Sequence, residues 1–108
     1  MATNLKVLPW LYRSKINADS RAPIYLRITR GTQRIEIATG FFIRLTEWNI
    51  KTHAVKSSSP QSKQINEHLQ TLRSKAFQIY NQLVAEEKPF QLAAIKIKLT
   101  GKDQKQTT

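Results

Sequence analysis

From Ala22 to Thr39 the sequence APIYLRITRGTQRIEIAT alternates apolar and polar residues around a single glycine, the pattern of a hairpin with one buried face. A two-residue type II′ turn at Gly31-Thr32, with Gly31 supplying the positive φ, sets Arg30 opposite Gln33. Ile28 then faces Ile35, Leu26 faces Ile37 and Ile24 faces Thr39, so the aliphatic side chains fall on one side. The other side carries Tyr25, Arg27, Thr29, Arg34, Glu36 and Ala38. A slip of one residue mixes isoleucines with arginines on both faces, which is the physical reason for this register.

An earlier strand is expected in Leu5 to Tyr12, where Pro9 cannot donate to a ladder and so points to a sheet edge. Both parities of that segment are apolar, so its facing stays open. Residues 13–21, RSKINADSR, form a polar connector, and Phe41 to Ile43 extend the third strand. In LTEWN a turn brings Trp48 back onto the sheet, and His53 to Ser59 read as a connector without periodicity.

Ser59 as N-cap and Pro60 at the first helical position predict a helix over about 60–87. Ile65, Leu69, Leu72, Ala76, Ile79 and Leu83 recur at helical spacing and form the stripe that covers the buried sheet face. Phe77, Tyr80 and Val84 make a second stripe on the last turns, against which another element docks. Lys88-Pro89 ends the helix, and a short one follows over about 91–100, with Phe90 stapled to Ile95 and Gly101 in the terminal αL position. The fold class is therefore α+β: a three-stranded antiparallel sheet (about 5–43) packed on a long amphipathic helix, with a short C-terminal helix. Residues 1–101 form one domain, and 102–108 are expected to be a linker leading out of it.

Composition narrows the chemistry. The chain has 108 residues, with 18 Lys and Arg against seven acids, a formal charge of +11. Such a balance favours a polyanionic partner. Ten of the 18 bases and only three of the acids lie in residues 1–56, so the excess lies mostly in the first half of the chain. Absent cysteines and two separated histidines, His53 and His68, argue against a metal centre, and neither a cofactor nor a spanning segment is expected. Three isolated glycines make no phosphate loop, and the scattered carboxylates make no acid-base pair, so catalysis is not expected. The chain reads as cytoplasmic.

The outer sheet face stands above this background. Arg27, Thr29 and Arg34, with Arg30 and Gln33 beside the turn, suit a β-ribbon reader of the major groove, and Arg13, Lys15 and Tyr25 complete the candidate DNA-binding set. Arg27 opposite Glu36 also fits an ordinary cross-strand ion pair. An alternative is a protein-interaction or membrane-surface module that works through the Phe77, Tyr80, Val84 face. Single-stranded RNA binding is a third reading, weakened because Tyr25 is the one aromatic placed on the outer face.

The order WLYRSKIN, APIYLRITRGTQRIEIATGFFI, EWN, INEHLQTLRSKAFQIYNQL and KPFQLAAIKIKLTG resembles the N-terminal arm-type DNA-binding domain of Bacteroidetes-type tyrosine recombinases, the integrases and transposases of mobile elements. The resemblance covers about residues 5–101 and is carried by order and spacing. It implies that the exposed sheet enters the major groove of arm-type sites in double-stranded DNA. It also implies that strand cleavage belongs to a following domain whose catalytic residues have no positions here. Arg27, Thr29 and Arg34 match the family's exposed strand positions. The domain is expected to be monomeric, away from membranes, and its parent recombinase oligomeric on DNA.

Overall fold

A computed structural model describes residues 5–87 and 89–100. Three strands, β1 (Leu5–Leu11), β2 (Arg21–Arg30) and β3 (Gln33–Arg44), form an antiparallel sheet in the order β1-β2-β3. Two short strands, β4 (Trp48–Asn49) and β5 (Ala54–Val55), pair with each other, and α1 (Ser62–Ala85) and α2 (Leu92–Thr100) complete the α+β fold.

The hairpin has the register that its alternation demands, from Arg30 opposite Gln33 through Ile28 opposite Ile35 to Tyr25 opposite Ala38. Gly31 has φ +59, while Thr32 is not among the positive-φ residues; only the first central residue is left-handed, as a type II′ turn requires. Ile24 does not pair with Thr39 as expected. The ladder shifts between Tyr25 and Pro23, which faces Phe42, so β3 gains two residues on β2 around Gly40 (φ +89). The Thr39 hydroxyl donates to the Ile24 carbonyl at 2.6 Å within this irregular step. Because two residues are added, Ile43 returns to the buried face opposite Ala22.

Strand β1 runs along the free edge of β2, where the missing N–H of Pro9 is harmless. Its facing is now settled: Leu5, Val7 and Leu11 are buried, whereas Lys6 and Leu8 are exposed. Two core clusters lie under the sheet. One joins Val7, Leu26, Ile28 and Ile37 to Ala76, Tyr80 and Leu83 of α1 and to Leu92 and Ile95 of α2. The other joins Leu11, Ala22, Ile24 and Ile43 to Trp48, Val55, Ile65 and Leu69. Full burial of an aliphatic side chain contributes roughly 1.5–3 kcal/mol, so sheet and helix each depend on the other's cover.

Three boundaries differ from the sequence reading. The stretch 53–59 is not a plain connector, since Ala54 and Val55 pair with Asn49 and Trp48. Asn66 of α1 holds that small hairpin in place: its Oδ1 accepts the Val55 N–H at 2.9 Å and its Nδ2 donates to the Val55 carbonyl at 3.0 Å. Helix α1 starts at Ser62 because Ser59 to Gln61 are used in a turn, in which the Ser59 carbonyl accepts the Ser62 N–H. At its other end α1 stops at Ala85, and Glu87 adopts φ +59. The αL position expected for Gly101, the Lys88 half of the helix-ending pair and the linker 102–108 lie outside the described residues.

Candidate nucleic-acid interface

Alternation along three paired strands places every second side chain on the face away from the helices. Cross-strand neighbours on that face form rows: Lys6, Thr29 and Arg34 at the turn end, then Leu8, Arg27 and Glu36, then Trp10, Tyr25 and Ala38. Beyond the bulge, Pro23 faces Phe42 and Arg21 faces Arg44. None of these residues belongs to either core cluster. Arg27 and Arg34 thus share one face, turned away from both core clusters, as the hairpin register requires.

The face has cations at both ends and aromatic surface between them. Lys6, Arg34, Arg21 and Arg44 are exposed, and so is Phe42. At the centre the Arg27 guanidinium carbon lies 3.8 Å from the Trp10 ring centroid, while Nε and Nη2 donate to Glu36 Oε2 at 3.0 and 2.8 Å. Lys15, in a 3-10 turn over Arg13–Lys15, sits 4.8 Å from the Tyr12 ring centroid and 5.2 Å from that of Tyr25. Its Nζ donates to the Tyr25 hydroxyl at 3.5 Å. Arg13 is exposed on the same turn.

Three strands spaced about 4.8 Å apart span roughly 10 Å of backbone, within the width of about 12 Å that the major groove offers.

Of the expected residues, Arg27, Thr29, Arg34 and Tyr25 come together on this face, with Lys15 packed against Tyr25. Gln33 is exposed at the tip but, as the cross-strand partner of Arg30, has the parity of Ile35 and Ile37 rather than that of Arg34. Arg30 is a correction to the grouping. It shares the parity of Leu26 and Ile28, and its guanidinium carbon lies 4.9 Å from the Phe90 ring centroid and 5.6 Å from that of Tyr80, on the helix side. Lys6, Trp10, Arg21, Phe42 and Arg44 escaped the sequence reading. The facing of β1 was ambiguous, and the bulge hid the end row.

The alternative surface does not survive as drawn. Tyr80 is 5% exposed and packs edge-on against Phe90, and Phe77 lies against the core; of the stripe, only Val84 is exposed. Helix α2 is the element that docks there. His68 lies edge-on to Phe41, and among the described residues no three His, Cys, Asp or Glu side chains gather as a metal site. No helix among them is long and apolar enough to cross a membrane.

A family model described as Arm DNA-binding domain matches residues 9–98. The chain belongs to that family. The arm domain's partner is therefore DNA, in the setting of site-specific recombination. The match runs from Pro9 within β1 to Lys98 within α2, so it takes in β2, β3 and α1 whole and parts of β1 and α2. No curated protein and no solved structure matches.

Proposed function

We propose that the arm domain lays its outer sheet face in the major groove of double-stranded DNA and anchors a site-specific tyrosine recombinase, of the Bacteroidetes mobile-element type, at arm-type sites. The observation that carries this reading is the three-strand face turned away from both helices, with Lys6 and Arg34 flanking Thr29 at one end and Arg21 opposite Arg44 at the other. Family membership supports DNA as the ligand. The domain acts by binding, and strand cleavage belongs to the recombinase's catalytic domain. One arm domain serves each site, and oligomerisation takes place on the DNA.

Duplex titration with single alanine variants tests the docking face. Lys6→Ala and Arg34→Ala are expected to weaken binding several-fold, while Lys63→Ala and Lys75→Ala, at exposed positions of α1, leave it unchanged. Equal effects from both pairs, or loss only on the helix side, would overturn the assignment.

A further inference from the structure

The centre of the outer face holds a group that a phosphate-gripping surface has no use for. Glu36 is the sole acid among the described outer-face strand positions, and its charge repels phosphate. It is nevertheless held firmly by Arg27, and each side chain is 21% exposed. The two donations from Arg27 both arrive at Glu36 Oε2, through Nε and Nη2. A guanidinium has five N–H donors, so the Nη1/Nη2 end keeps three, and Glu36 Oε1 keeps its lone pairs. Side by side, the pair offers a fork of two donors and then an acceptor.

That order matches one base pair. In the major groove a G·C pair presents guanine N7 and O6, both acceptors, followed by the cytosine N4 amino donor. An A·T pair places a donor in the middle of that series, and a C·G pair reverses it. Resting on the docking face proposed above, we infer that Arg27 and Glu36 together read a single G·C base pair. The Nη1/Nη2 end of Arg27 donates to guanine N7 and O6, and Glu36 Oε1 accepts from N4 of the paired cytosine. Trp10, against which the guanidinium is stacked, holds Arg27 in place before DNA arrives, so less side-chain freedom is lost on contact.

The test selects a preferred duplex for the chain from a random pool and then alters single atoms of the DNA. At each G·C position, guanine is replaced by 7-deazaguanine, which lacks the N7 acceptor, or cytosine by N4-methylcytosine, whose methyl group takes the place of the groove-facing hydrogen. At one position both analogues are expected to raise the Kd of the unaltered chain about tenfold. The 7-deazaguanine effect should vanish in Arg27→Ala, and the N4-methylcytosine effect in Glu36→Ala. Glu36→Ala, relieved of a negative charge, should also hold unrelated duplexes more tightly while losing its preference at that position. A merely structural ion pair predicts no position at which both analogues weaken the unaltered chain, and that result overturns the inference even if a variant fails to fold. Lys6→Ala and Arg34→Ala separate the two readings. If they weaken binding and the analogues are silent, only the base reader falls; if they leave binding unchanged, the docking face falls as well.

Discussion

Arg73 of α1 donates from Nε to the backbone carbonyl of Val7 at 2.9 Å, joining the long helix to the outermost strand of the sheet. The bond occupies a carbonyl on a sheet edge, where an open acceptor invites pairing with another chain. Arg73→Ala is expected to cost about 1.5–3 kcal/mol, the range for a hydrogen bond to a charged donor. Urea unfolding of the two proteins measures it, and an unchanged midpoint would show that the bond contributes nothing.

Tyr80 and Val84 lie on one apolar stripe of α1 but differ in burial. Tyr80→Ala is expected to destabilise by about 3–5 kcal/mol, as for other large aromatic deletions in cores. Val84→Ala should stay within about 0.5 kcal/mol. Thermal melts distinguish this pattern from that of a binding surface, where both substitutions would spare the fold.

Gly31 is left-handed, and a Cβ placed on it meets nothing within 4 Å. The penalty for Gly31→Ala is therefore backbone strain alone, about 1–2 kcal/mol. Gly31→Asn should cost less, because Asn is accepted at the positive-φ positions of primed hairpin turns better than Ala is. A larger loss for Asn than for Ala, read from denaturant midpoints, would contradict this account of the turn.

Asn66→Ala removes both side-chain partners of Val55. A loss of about 1–3 kcal/mol is expected if Val55 is left unsatisfied. Amide hydrogen exchange provides a local readout, since Val55 should lose protection before Leu26 does.

DNA affinity should fall steeply with salt. Neutralising about five phosphates gives a log–log slope near −4.5, and removing one contact, as in Arg34→Ala, should reduce its magnitude by about 0.9. Replacing Arg27 and Arg34 together should weaken binding more than replacing Lys102 and Lys105. A slope near zero would rule out phosphate contacts as the source of affinity.

The hairpin was readable because one glycine and a strict two-residue alternation admit a single register that keeps Ile28, Ile35, Leu26 and Ile37 together. That same parity places Arg30 beside Ile28, on the helix side, so its misgrouping came from nearness to the turn rather than from any lack of signal. Strand β1 was different. Lys6, Leu8 and Trp10 alternate with Leu5, Val7 and Pro9, and only the pairing with β2 tells which set faces the helices. The paired strands β4 and β5 are two residues each, too short for alternation to show, and the clamp from Asn66 spans 11 residues of sequence. Arg21 and Arg44 have the outer-face parity of their strands, but only the irregular step brings them opposite each other, and no local pattern announces it.

The step in β3 near Gly40 limits how the segment can change length. Removing one residue between Ala38 and Ile43 would exchange the places of Phe42 and Ile43, sending an apolar ring toward Trp48 and an isoleucine toward solvent. Removing two would straighten the ladder and leave inside and outside as they were. Insertions and deletions at this point should therefore be tolerated in even numbers.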